Sequence, residues 1–236
     1  MEAPMSPRTA RLTGLAYLGL ALFGLLGHLI IQSRLYVAGD AAATIAGLSA
    51  HGTLAGLGVA ADVGVVVTQA LAAVLFFRLF QPLGALPAAM IAGFGLINSM
   101  IVLVATMFTA AALASVRAGD PVPVLLMYEL NTAAWTLGGV FFGLWLIPMG
   151  RLTLRSPDLP RLLGWILIAG GAGYVISAFV AYLAAGTTTV TTVLAVPASI
   201  GEFVMIGFLL FKRRWSSAPP AAPRLPLTPR PSSAPR

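Results

Sequence analysis

The sequence predicts an all-α polytopic membrane bundle of six transmembrane helices with both termini in the cytoplasm, and three observations predict it. Charged residues make up only 9% of the 236, hydrophobic residues 58%, and mean hydropathy is +0.93, whereas roughly a quarter of a soluble domain is charged. Leu79 to Val116 and Leu162 to Gly201 contain no Asp, Glu, Lys or Arg. Since about 20 apolar residues cross about 30 Å of hydrocarbon, each of these runs is too long for a single crossing and holds one helix plus a turn or part of another. The runs are apolar on all sides and rich in Leu, Ala, Val and Gly, unlike the alternating segments of about ten residues that build a spanning β-barrel.

The first span is expected from Leu12 to Gln32, followed by a polar turn with Ser33, Arg34, Gly39 and Asp40. The second runs from Gly52 to Phe77 and stops at Arg78; a connector with Gln81 and Pro82 leads to the third, Pro87 to Leu113. Pro87 suits a first helical turn, where its missing N–H would have no partner anyway. Arg117, Gly119, Asp120, Pro121 and Pro123 break the chain. The fourth span, Val124 to Met149, ends before a connector carrying Arg151, Arg155, Pro157, Asp158, Pro160 and Arg161. The fifth runs from Leu162 to Ala185. The threonine-rich segment from Thr187 to Thr192 reads as an uncharged turn, and the sixth span follows from Val193 to Phe211. Lys212, Arg213, Arg214 and the interfacial aromatic Trp215 stop it.

Lys and Arg of short loops are retained in the cytoplasm. Placing the N-terminus inside collects Arg8, Arg11, Arg78, Arg151, Arg155, Arg161, Lys212, Arg213, Arg214, Arg224, Arg230 and Arg236 there and leaves only Arg34 and Arg117 outside. A cleaved signal peptide fits the first span poorly, because that apolar stretch of about 20 residues exceeds the usual 7 to 15. The domain plan is a short cytoplasmic N-terminus over 1–11, a six-helix domain over 12–215 and a disordered cytoplasmic tail over 216–236, rich in Pro, Ala, Ser and Arg. The net charge of +7 follows the flanks of the spans, so it predicts no nucleic-acid partner, and weak attraction to anionic lipid is expected of the tail's arginines. With no cysteine, disulfides and thiolate metal sites are excluded.

A weak internal repeat is visible. Arg11-Leu12-Thr13-Gly14 opens the first span and Arg161-Leu162-Leu163-Gly164 the fifth, and the return helices carry one acid each: Asp62, Glu129 and Glu202. Six segments carry a resemblance over about Thr9 to Trp215: Ala10-Arg11-Leu12-Thr13-Gly14-Leu15-Ala16-Tyr17, Gly39-Asp40-Ala41-Ala42-Ala43-Thr44, Ala60-Ala61-Asp62, Phe141-Phe142-Gly143-Leu144-Trp145-Leu146, Leu159-Pro160-Arg161-Leu162-Leu163-Gly164 and Pro197-Ala198-Ser199-Ile200-Gly201-Glu202. With them the chain resembles the bacterial membrane-protein family called domain of unknown function 4386. The resemblance implies a six-helix inner-membrane protein and brings no reaction, substrate or cofactor. Where that family often has Leu-His after Phe-Phe-Gly, this chain has Leu144-Trp145, so no histidine role carries over.

Ionisable residues within the spans are the strongest functional hints, because a charge at a helix centre costs about 2.5 to 3.5 kcal/mol on insertion scales and avoids lipid. At about 1.5 Å per residue, Glu202 stands about 15 Å above Lys212, Asp62 about 24 Å above Arg78 and Glu129 about 33 Å above Arg151. The candidate intramembrane polar site is His28, Asp62, Asn98, Glu129 and Glu202, with Gln69 and Asn131 as further amides that either glue helices or bind solutes. Arg34 and Asp40 form an interfacial ion pair or a loop cap, or Arg34 reaches inward to neutralise Asp62. His28 beside carboxylates admits a divalent cation, but with His51 in the outer loop the usual several-histidine zinc set is lacking. Gly143, Gly170, Gly171, Gly173 and the group Gly52, Gly56, Gly58 read as packing positions, since Gly-Gly-x-Gly lies mid-span with neither a preceding strand nor a following lysine.

Three functions fit these residues. The leading one is a noncatalytic structural or regulatory protein whose acids pair helices. The next is a small-solute or ion transporter in which Asp62 and Glu202 change protonation or bind a cation. The last is a membrane enzyme using His28, Asp62 and Glu129. No cofactor is implied. The expected partners are the lipid bilayer and a second copy or another membrane protein.

Overall fold

The computed structural model describes residues 7–120, 122–184, 188–212 and 215. Its described residues are 90% helix with no strand, and six helices are long and apolar enough to cross a membrane. The protein is thus an all-α, multi-pass membrane protein. Backbone donors and acceptors have no water to turn to in hydrocarbon, so continuous helices are the arrangement that satisfies them. The expected tail over 216–236, the first six residues, Arg213 and Arg214 lie outside the described residues.

The spans are α1 (Pro7–Leu35), α3 (Gly52–Phe80), α4 (Ala85–Arg117), α5 (Val124–Arg155), α6 (Arg161–Leu183) and α7 (Thr188–Phe211), and a short helix α2 (Ala41–Ala50) joins the first two. The sequence reading missed α2. Asp40 starts it by accepting the Ala43 N–H at 2.9 Å, the ordinary N-cap arrangement. The turn expected from Thr187 to Thr192 is corrected from Thr188 on, where α7 is helical, and Thr187 lies outside the described residues. A β-branched residue loses only tenths of a kcal/mol in helix propensity, less than an unpaired peptide group costs in lipid.

Turn chemistry sets the other ends. α4 closes with Gly119 at φ +77, the Gly119 N–H reaching Val116 O at 3.1 Å and the Asp120 N–H reaching Ser115 O at 3.0 Å. That pair of bonds is a Schellman C-cap, which needs a left-handed residue where glycine pays no Cβ penalty. Pro160, extended at ψ 135, precedes α6.

Each span packs on its neighbours in the chain, and α1 also packs on α7, closing a ring. Near the start of α1, a Cβ on Gly14 would lie 2.9 Å from Leu209 near the end of α7. Glycines allow the closest approaches. On α5 and α6, Gly143 and Gly171 face each other's carbonyl oxygens, as do Gly150 and Gly164; on α6 and α7, Gly170 and Gly173 meet the backbone of Ala198 and Leu194. Gly52 departs from its expected packing role, with open space around it.

The charges segregate along the bundle. One end holds Arg8, Arg11, Arg78, Arg151, Arg155, Arg161 and Lys212, with Asp158 bound to Lys212 at 2.9 Å. Lys212 also donates to the Asp158 carbonyl and covers the Trp215 ring. The other end holds Arg34, Arg117, Asp40, Asp120 and Glu129. Tyr17, Phe76 and Trp145 fill the basic half, each ring edge-on to the other two at 5.2 to 5.9 Å. The opposite end has its own core, in which Leu48 of α2 joins Ile31, Leu35, Ala55, Leu113, Val124 and Tyr128.

Candidate functional site

Asp62 sits beneath that second core. It is 4% exposed, and its Oδ1 has no hydrogen-bond partner. Space for the carboxylate exists because the facing residue of α1 is Gly27, where a Cβ would come within 2.8 Å of Asp62 Oδ1. Gly27 belongs to a π-helical stretch, Leu25–Gln32, inside α1. Such stretches are rare and recur at functional sites. A small cavity beside Asp62 is lined by Gly27, Ile31 and Gln32 of the π stretch, Ala55, Gly58 and Val59 of α3, and Thr109 and Tyr128.

A hydrogen-bonded chain crosses the bundle next to this cavity. His28 Nδ1 lies 3.0 Å from Gln32 Oε1, Gln32 Nε2 donates to Asn131 Oδ1 at 2.9 Å, and Asn131 Nδ2 donates to the Ala105 carbonyl at 2.9 Å. The His28 ring rests on Trp135 with centroids 4.7 Å apart. Tyr36 stacks on Tyr128 at 5.0 Å and roofs the same region. α1, α4 and α5 are thereby joined through side-chain amides, the glue expected where water cannot compete.

Glu202 belongs elsewhere. Tyr17 donates its hydroxyl to Glu202 Oε1 at 2.7 Å, which ties α1 to α7 within the Tyr17, Phe76 and Trp145 cluster. Asn98 is buried and lines a third place, a cavity of about 120 Å³ with Trp135, Phe142 and Tyr174.

The expected polar site is therefore divided. Glu129 is exposed and the adjacent Tyr128 turns inward instead, since one helical position rotates a side chain by about 100°. His28 is held by Gln32 and Trp135, and no group of three His, Asp or Glu suited to a metal ion forms among the described residues. The cluster of His28, Asp62 and Glu129 is corrected on that ground. Of the two roles expected of Asp40, the cap is observed; no Arg34–Asp40 ion pair forms among the described residues, because the carboxylate is engaged with Ala43 and Arg34 is exposed. Gln69 is buried with its Nε2 unpartnered, and Trp145 Nε1 is likewise unpartnered. Sequence reasoning missed Tyr17, Gln32, Tyr128 and the Asp158–Lys212 pair. Tyr17, Gln32 and Tyr128 were signalled only by polar tips within apolar helices, and Asp158 and Lys212, in the α5–α6 connector and just past α7, by their opposite charges alone.

A family model described as domain of unknown function (DUF4386) matches residues 12–212. No curated protein and no solved structure matches the chain.

Proposed function

The chain belongs to the domain of unknown function 4386 family, and because that membership brings no reaction with it, we propose from the geometry that the protein has a noncatalytic structural or regulatory role in the bacterial inner membrane. Both termini lie in the cytoplasm in this reading. Support for the orientation is the gathering of basic residues at one end of the folded bundle, the end that short-loop retention holds inside.

One observation carries the noncatalytic reading: the two intramembrane acids occupy separate compartments. Glu202 is engaged by Tyr17 in an aromatic cluster that fills the inner half, while Asp62 lies in the outer half under Leu35 and Ala55. The remaining polar groups bond mainly to one another, from His28 through Gln32 and Asn131 to Ala105. Such an arrangement fixes helices. Purified Asp62→Asn and Glu202→Gln proteins test it: lowered unfolding temperature or a lost oligomer, with no change in proteoliposome ion or proton flux, is the expected result. Flux in the wild type that the amide variants abolish would overturn it.

Transport is the second reading. What favours it is that Asp62 Oδ1, Gln69 Nε2 and Trp145 Nε1 are buried without partners, the kind of atom that ordered water satisfies along a polar route.

A further inference from the structure

We propose that the outer cavity beside Asp62 binds one monovalent cation of about water size. The site goes beyond the reading above, since binding there requires neither flux nor catalysis.

The argument begins with the unpartnered oxygen. Asp62 is 4% exposed and its Oδ1 meets no donor, although buried carboxylates are ordinarily hydrogen-bonded, paired or coordinating. Oxygen-bearing side chains converge on the same cavity from three helices: Gln32 from α1, Thr109 from α4 and Tyr128 from α5. The Asp62 carboxylate and the Thr109 and Tyr128 hydroxyls form a hard donor set, suited to alkali ions rather than to soft metals, while the Gln32 oxygen is already engaged by His28. About 20 Å³ is open to the centre of a water-sized particle, room for about one.

The charge count selects the valence. Arg34 and Arg117, the cations of that end, are exposed and neither forms an ion pair with Asp62. One ionised carboxylate is balanced by one positive charge, whereas a divalent ion would leave a net charge in low dielectric. The cradle is also prearranged. Gly27 lets the π-helical backbone approach where a Cβ would come within 2.8 Å of Oδ1, and Gln32 is held by His28 on one side and Asn131 on the other. Ordering these groups in advance reduces what the ligand must spend on binding.

The test uses the full chain in lipid nanodiscs. Unfolding temperature is measured in sodium, potassium, ammonium and N-methylglucamine chloride at constant ionic strength, with equilibrium binding of radioactive sodium or rubidium alongside. At about 100 times Kd, a cation that fits raises the unfolding temperature by about 5 to 10 °C over N-methylglucamine, with one ion bound per chain. Asp62→Asn removes the rise. Thr109→Val, which keeps the volume and loses one oxygen, weakens binding about tenfold and keeps the test decisive should Asp62→Asn not fold. Equal unfolding temperatures in all four salts, or a rise that survives both substitutions, would overturn the site. A flat wild-type response leaves the noncatalytic reading standing, whereas flux abolished in the amide variants removes that reading whatever the binding data show.

Discussion

Gly171→Ala is the sharpest test of how the spans are held together. A Cβ at this position would stand 2.6 Å from Gly143 O, 2.9 Å from Ile147 Cγ1 and 3.2 Å from Ile147 N. Carbon and carbonyl oxygen ordinarily approach to about 3.3 to 3.6 Å, so α5 and α6 must part locally by about 0.7 Å. A gap of that size forfeits a quarter to a half of each contact's ~0.1–0.2 kcal/mol. Spread over the tens of atom pairs of a helix interface, the loss is about 1 to 3 kcal/mol, the usual range for overpacking. Opposing it is the gain of about 0.5 to 1 kcal/mol from replacing glycine within a helix. The expected net effect is a destabilisation of about 1 to 2 kcal/mol, or about 2 to 8 °C in unfolding temperature for a chain of this size. Gly93→Ala and Gly207→Ala are the internal controls, because nothing lies within 4 Å of either added methyl; they should be neutral or slightly stabilising. The measurement is thermal or detergent-induced unfolding of the three variants in one micelle system. If Gly171→Ala unfolds with the controls, the close approach of α5 and α6 is wrong.

Four other outcomes follow from named contacts. Tyr17→Phe removes the donor to Glu202 at 2.7 Å and should lower stability by about 1 to 2 kcal/mol, an effect that vanishes in a Glu202→Leu background, as a double-mutant cycle would show. Asn131→Leu strands Gln32 and the Ala105 carbonyl, with a loss of about 1 to 2 kcal/mol in detergent unfolding. Asp158→Asn weakens the bond to Lys212, whose side chain is 24% exposed; about 1 kcal/mol is expected, falling with added salt, and an effect indifferent to ionic strength would refute the electrostatic account. Reporter fusions at Gly119 and Asp158, at opposite ends of α5, should report opposite compartments, with Asp158 inside.

The path of the chain was legible because hydrocarbon leaves few options. Uncharged runs demanded helices, and the break after Arg117 lies where the structure has it, whereas the connector expected over Arg151 to Arg161 stays helical as far as Arg155. Helix phase was another matter. Height along the helix already put Glu129 near the interface with no need of burial, and the structure exposes it; that Tyr128 turns inward beside it depends on helix phase, which spans apolar all round leave unspecified. The pairings of Tyr17 with Glu202 and Asp158 with Lys212 join residues 185 and 54 positions apart, separations over which local periodicity is silent. The glycines were recognised as packing residues, but which carbonyl each approaches depends on the rotation of two helices at once. α2 escaped notice because Ala41 to Ala50 is too short to span, and the residues between Asp40 and Gly52 were read as loop.

Closure of the ring by α1 against α7 bears on how the protein is made. The hydroxyl of Tyr17 leaves the ribosome 185 residues ahead of the carboxylate that receives it. Until α7 follows, α1 waits in the bilayer with one flank uncovered and a polar tip unanswered. A product terminated before α7 therefore differs from the closed bundle along that whole flank.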